Sequence, residues 1–510
     1  MSLPEANAAH FPPGGTVQGG ESKILHWLAV LVLAACIVRL WVMPLPSSFW
    51  VDEMGTAFVV RRGADEPTLR AAPQVPASVY YLLPAAMDRV FGLNETAYRL
   101  PSLLAMLAAL WFLSRLAARL IHPGAAWFVA CACFLLRGFN YQAADARPYA
   151  LGTCVLAASL WLLVRWLDTG RLRHAAGFAI LAALLWRIHL VFWPLYAVYG
   201  IYTAARLRRG DAKAAWPAAA GVYAAIALAL LPVSLRAMRL MKEAGAHVVA
   251  APPSFLVFVY SLKVGLVAGA GMAALVAGWM LSKREDRRPA RRCEWSFLLA
   301  WWLAPPVLLF TFSWLTGHSI YVPRYLYLAL PGAVLAAAAF ASLRLPERHW
   351  KTSAIAAGAL ALALLGRWGE AWPPHHNSDW RAAAAAVNRL AGEADTAVLC
   401  PSPFIEAKPP VWSLNYPTDG FLYSHLFVYP IRGRIFPLPF DRFPAAAPVI
   451  EDLFGRTLEG QGRFILYGPA GGAGFWADWF RERLPPERWI KRNEGNFGDV
   501  SVFLFERTAQ

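Results

Sequence analysis

The sequence predicts an all-α polytopic membrane domain of about eleven spans, followed by a small α/β domain on the outer face. Three observations point there. Of the 510 residues, 58 % are hydrophobic and 16 % charged, against roughly 25 % charge in average soluble domains. Apolar stretches near the ~20 residues that a crossing helix needs recur over most of the chain. Every second loop between them is basic, which is the positive-inside pattern. Those loops account for the net charge of +16, so nucleic acid is not an expected partner and the lipid bilayer is.

Taken in order, residues 1–24 are polar and rich in Pro and Gly and read as a cytoplasmic tail. The apolar run at about 25–44 exceeds the ~7–15-residue core of a cleaved signal, so it reads as a retained first span. Further spans are expected near 100–121, 123–139, 148–167, 174–190, 191–206, 214–234, 255–282, 295–316, 322–344 and 351–369. An outer loop, 45–99, separates the first two. Within it, 77–92 (ASVYYLLPAAMDRVFG) is short and carries Pro84, Asp88 and Arg89, so it reads as an amphipathic helix lying in the interface. Charge supports that choice. The inner loops then hold Arg115 and Arg119; Arg165, Arg171 and Arg173; Arg206, Arg208, Arg209 and Lys213; Lys283 to Arg292; and Arg344, Arg348 and Lys351. A crossing at 77–92 would invert the pattern.

The membrane domain so defined is 25–369, and 370–510 is the outer domain. There Ser378 can cap a helix over Trp380–Leu390. Thr396–Cys400, Arg463–Tyr467 and Val500–Phe505 read as strands and Phe475–Leu484 as a helix. The glycine-rich run at 468–474 fits no phosphate-loop spacing and reads as a turn. Of the six cysteines only Cys400 falls in this domain, which leaves it no internal disulfide.

Ionisable groups at a membrane boundary are costly, so the candidate chemistry is sought among them. Asp52-Glu53 follow the first span in SSFWVDEMGTAFVVRRG. Paired carboxylates there could supply a general base or hold a divalent cation. Alternatively Asp52 caps the short helix 53–62 and Glu53 favours its positive end. Asp145 and Arg147, in NYQAADARPYAL, share the outer face with Asp52; they could join it, as a second cation ligand for instance, or form only a local pair. Arg324-Tyr325, in GHSIYVPRYLYLALPG, begin a span, where the guanidinium could clamp a phosphate or snorkel to headgroups. His318 is near in sequence, and Arg187 and His189 occupy a turn on the same side.

The stretches VDEMGTAFVVRRG, PASVYYLLPAAMDRVFGLNETAYRLPSLLA, DARPYALGTCVLAASLWLL and YVPRYLYLALPGA, in that order, resemble membrane glycosyltransferases of the GT-C architecture. They are similar to bacterial relatives of the dolichyl-phosphate-mannose protein mannosyltransferases, a group similar to the lipid A aminoarabinose transferase. The resemblance covers roughly residues 25–345 and more loosely the outer domain. It implies a polyprenyl-phosphate sugar donor, a hydroxyl acceptor of the cell envelope (glycan, lipid or protein), and an active site on the periplasmic side of a bacterial inner membrane. It implies Asp52, with Glu53 beside it, as the first acidic site position and Asp145 as the second, commonly Glu in relatives. Arg324 matches the lipid-phosphate contact; Tyr325, Arg147, His189, His318 and Tyr81 complete the donor-side candidates. Where relatives carry His or Lys before Pro-Pro-Leu-Tyr-Tyr, this chain reads Gln74-Val75-Pro76-Ala77-Ser78-Val79-Tyr80-Tyr81. The expected reaction is a single displacement with inversion, Asp52 acting as base. The competing readings are a polysaccharide ligase or polymerase using diphosphate-linked glycans, and a multi-span transporter.

Overall fold

Helix length sorts the apolar segments. The structure, a computed structural model, describes residues 23–71, 78–244, 251–281, 294–392 and 395–508, apart from 410, 414, 441–446, 454, 456–457 and 459–460. The expected N-terminal tail up to residue 22, the Gln74–Ala77 stretch, part of the loop after 234 and the basic loop 282–293 with Cys293 lie outside the described residues. Among the described residues six helices are long and apolar enough to cross a membrane: Lys23–Val42, Glu95–Leu120, Tyr149–Thr169, Trp216–Arg239, Trp295–Thr316 and Pro323–Ser342. A seventh crossing results if Phe255–Ser261 and Val264–Ala277, bent by 44°, form one span. The four other expected positions hold shorter helices: Ala125–Leu135, Leu172–Ile188, Leu195–Arg209 and Trp350–Leu365. The expected number of about eleven crossings is therefore not reached by length. Leu195–Arg209 shows why. Pro194 and Gly210 bound it to 15 residues, or ~22 Å at ~1.5 Å per residue, short of a ~30 Å hydrocarbon core.

The first loop holds two helices. Val51–Arg62 carries Asp52 and Glu53 in its first turn and stops at Gly63, φ 91°. Carboxylates suit that end of a helix, but neither is its cap: the N-cap residue is Trp50, whose backbone N–H donates to Glu53 Oε2 at 3.2 Å. The second helix, Leu82–Phe91, is ten residues long and does not cross. It exposes Leu82, Val90 and Phe91 while Asp88 pairs with Arg61 at 3.0 Å, the two-faced pattern of an interfacial helix.

The C-terminal region is a five-stranded sheet flanked by helices. Its strands are β1 (Ala397–Pro401), β2 (Arg434–Leu438), β3 (Arg463–Pro469), β4 (Trp489–Asn496) and β5 (Val500–Arg507), in the order β2-β1-β3-β5-β4. β1 runs parallel to β2 and β3; β5 runs antiparallel to β3 and β4. β2 and β4 were not foreseen. Both are edges, and β4 carries Lys491, Arg492 and Glu494 in place of an apolar alternation, as edge strands often do. The cap of the helix Trp380–Ala391 is Asp379, not Ser378: its carboxylate accepts from Ala382 N at 3.0 Å, while Ser378 is drawn into a bridge with Gly498. Most of the glycine run is not a turn either, because β3 ends at Pro469 and the helix Ala470–Arg483 starts at once.

This sheet is not an appendage. Phe49, Met54 and Phe58 of the first loop share one hydrophobic core with Trp380, Leu399, Phe464 and Phe505. Polar ties reinforce it: Tyr429 Oη accepts from Phe49 N and donates to Glu95, both at 2.8 Å, and Arg62 meets Asp419 at 2.7 Å. Arg39, at the end of the first span, donates to the carbonyls of Gly366, Arg367, Glu370 and Ala371 at 2.6–3.1 Å. It thereby serves unpaired carbonyls at and beyond a helix end and pins the segment that leads into the C-terminal domain.

Candidate active site

Three charged side chains meet where the first loop, the loop before Tyr149 and the helix start at Pro323 converge. Arg324 Nη1 donates to Asp52 Oδ2 at 2.7 Å. Arg147 Nη2 stands 3.9 Å from the same oxygen, and its Nη1 donates to the Asp52 carbonyl at 3.1 Å. Local structure fixes each group. Pro323 opens the helix that presents Arg324, a position where a missing N–H costs nothing. Arg147 N donates to Asp145 O at 2.8 Å, a tight turn ahead of Pro148. Asp52 sits one residue into its helix. The Nε–H groups of Arg147 and Arg324 are buried with no partner among the described residues, so both guanidiniums keep unused bonding capacity.

These groups line a cavity of about 470 Å³. Tyr81, His189 and Tyr325 line it too, with Gly55, Arg187 and Arg236. The C-terminal domain supplies a wall through Phe404, Ile405, Glu406 and Phe421. Gly55 keeps the floor low: a Cβ there would come within 3.3 Å of the Phe421 ring. His189 is a neutral donor. Its Nδ1 accepts from Val191 N at 3.1 Å, which leaves the proton on Nε2, and burial, then Arg147 and Arg324, push its pKa down to about 3.

No family model matches the chain in sequence, and no curated protein does. In structure it matches ArnT from Cupriavidus metallidurans in the apo state, with a TM-score of 0.50 and 14 % identity over 95 % of this chain and 98 % of that one. The same enzyme bound to undecaprenyl phosphate matches with a TM-score of 0.50 and 12 % identity, over 94 % and 98 %. Arabinosyltransferase EmbB from Mycobacterium smegmatis matches at 0.39 and 18 % identity, over 66 % and 32 %. The chain has the ArnT fold.

On the ArnT fold of this chain, the other sequence candidates part ways. Glu53 does not reach the cavity. It is fully buried against Arg99, which donates to Oε1 from Nε at 2.7 Å and to Oε2 from Nη2 at 2.5 Å. Ala146 N adds a bond to Oε1 at 2.7 Å and Trp50 N one to Oε2. Consecutive helix residues point about 100° apart, so adjacent carboxylates cannot share one task here. Asp145 also lies behind the wall. Its Oδ1 accepts from Trp50 Nε1 at 3.0 Å, and burial, eased by that bond and by Arg147, pushes its pKa up to about 7. His318 is exposed, its ring turned back on the Thr316 carbonyl at 2.7 Å beyond the helix-ending Gly317, and is not among the cavity residues.

The expected cation pair, Asp52 with Asp145, does not fit. One carboxylate faces the cavity and holds Arg324; the other faces Trp50. Glu53, Asp145 and His375 do lie within 4.8 Å of one another, but each Glu53 oxygen already accepts two hydrogen bonds, and Arg99 supplies the countercharge a cation would bring.

Sequence reasoning missed Arg99 and His375. An arginine inside the apolar stretch ETAYRLPSLLAMLA is the kind of intramembrane charge that signals a role. His375 had a weaker cue, the Pro-Pro-His-His run just past the last apolar segment.

Proposed function

We propose that this protein is an inverting glycosyltransferase that moves a sugar from a polyprenyl-phosphate donor to a hydroxyl acceptor at the outer face of a membrane. The observation that carries the reading is the contact of Asp52 Oδ2 with Arg324 at 2.7 Å, with Arg147 beside it, on one cavity. A base and two phosphate-binding guanidiniums are what a sugar-phosphate displacement needs. Undecaprenyl phosphate, bound by the ArnT of the same fold, has the chemistry of the leaving group.

In the proposed reaction the donor phosphate takes over Arg324 and Arg147, which can bind its oxygens in pairs. Arg324 thereby releases Asp52 Oδ2. The neutral His189 offers a further N–H to the phosphate. Asp52 accepts the proton of the acceptor hydroxyl as its oxygen attacks the anomeric carbon. The bond from that carbon to the phosphate oxygen breaks, and the polyprenyl phosphate leaves with the electron pair. A phosphate anion needs no general acid; the two arginines stabilise its growing charge. One displacement inverts the anomeric centre.

The test is transfer from synthetic undecaprenyl-phosphate sugars to envelope acceptors by purified protein. Asp52→Asn is expected to lose ~10²–10⁴ in rate, the worth of a positioned base. Near-normal transfer by a folded Asp52→Asn protein, or use of diphosphate-linked glycans alone, would overturn the reading.

A further inference from the structure

Behind the cavity wall lie two buried polar atoms on neighbouring side chains. Asp145 Oδ2 and His375 Nε2 each lack a hydrogen-bond partner among the described residues. Nε2 stands 3.6 Å from Oδ1 of the same carboxyl, and both side chains are only 2 % exposed, so bulk water serves neither. Buried groups of this kind are almost always paired, and a small closure would bring Nε2 within hydrogen-bond distance of the carboxyl. The imidazole is already steered toward it: its ring lies 4.2 Å from that of Tyr141, and His375 N donates to Ser47 Oγ at 3.0 Å.

The other ends of this contact lead to the site. Asp145 Oδ1 holds the Trp50 indole, and the next residue in the linker, His376, stacks flat on that indole at 5.0 Å and 3°. Trp50 is the N-cap residue of the helix whose first turn carries Asp52. Ser102 Oγ donates to the Asp145 carbonyl at 2.6 Å, two residues before Arg147. The carboxyl of Asp145 thus stands between the mountings of Asp52 and Arg147.

We infer that His375 is a positioning residue: its Nε2 shares one hydrogen bond with the Asp145 carboxyl, and this couple fixes Trp50 and with it the helix start that presents Asp52. The inference rests on the reading of Asp52 as base. Burial favours the uncharged form of each partner, raising Asp145 and lowering His375, so the carboxyl O–H donates to the imidazole nitrogen. The segment that ties the C-terminal domain to the membrane helices therefore also tunes the site.

Replacement by groups of matched shape tests it. His375→Phe keeps a ring and loses the bond; its turnover is expected to fall about tenfold or more, the cost of a small misplacement, with the donor KM little changed. His375→Gln keeps a polar atom near Nε2 and restores most of the rate. Asp145→Asn, which mimics the protonated carboxyl and keeps both bonds, loses less than Asp145→Ala. Equal loss in His375→Gln and His375→Phe, or full activity in His375→Phe, overturns the inference. A second arm needs no activity: melting temperatures of His375→Phe, Asp145→Ala and the double variant should be non-additive, and additive shifts overturn the couple. Should no polyprenyl-phosphate sugar be used by the unaltered protein, the functional reading fails, while the melting arm still decides the couple.

Discussion

Removing one partner of the Asp145–His375 couple should make stability depend on pH, with opposite sign for the two partners. Burial moves Asp145 from 3.8 to about 7 and His375 from 6.5 to about 3. Near pH 5 the unfolded chain carries one proton on the pair, on the histidine. The folded chain also carries one, on the aspartic acid. Equal proton counts give no slope. Asp145→Asn leaves a histidine that is neutral when folded and charged when unfolded; the unfolded state binds more protons, so stability rises with pH from about 3 to 6.5. His375→Gln leaves a carboxyl that is protonated when folded and ionised when unfolded, so stability falls as pH rises from about 4 to 7. Each slope amounts to about 1.4 kcal/mol per pH unit. For a chain this long that is roughly 1–2 °C per unit in melting temperature. Asp52, Glu53, Arg99, Arg147, Tyr80, Tyr141, Tyr327 and His376 also act on the pair or its neighbours. Buried His189 and His425 add their own slopes in every variant. The quantity to read is thus the difference from the unaltered protein, by fluorescence melting in detergent at fixed scan rate between about pH 4.5 and 6.5. Differences of the same sign for the two variants would refute the reasoning.

Other outcomes follow from the same geometry. Arg99→Met leaves Glu53 buried without its cation, a loss of ~3–5 kcal/mol, and should cut the yield of folded protein in detergent; adding Glu53→Gln should recover part of it. Arg324→Lys replaces a planar fork by a point charge, so the donor KM should rise more than kcat falls, as steady-state transfer would read. Stripping divalent cations with a chelator should leave transfer unchanged, because the carboxylates near the site already face guanidiniums or an indole.

How much the sequence could say depended on the kind of signal. Asp52, Arg147 and Arg324 were legible because each stands at the end of an apolar run, where a charge needs a reason. That Glu53 turns inward was not, since a dipeptide does not show which residue finds a partner; Arg99, far along the chain, decided it. The helix at Leu82–Phe91 was readable from its short length and its charges. The span count was less so, because hydropathy marks an apolar segment but not where Pro194 or Gly210 cuts its helix. In the C-terminal domain, the apolar strands β1, β3 and β5 stood out, while the edges β2 and β4 lack that pattern. His375 escaped because its role arises only when the linker folds back on Ser47 and Tyr141.

The shared core of Phe49, Met54 and Phe58 with Trp380, Leu399 and Phe505 sets an order on biogenesis. The helix bearing Asp52 is made well before β5, so its apolar side gains its full cover only roughly half a minute or more later at ~5–20 residues per second. Until then lipid or a chaperone must shield it. A nonsense codon shortly before Val500 would therefore disable a pocket none of whose lining residues it deletes, because β5 holds up from a distance the helix that carries Asp52.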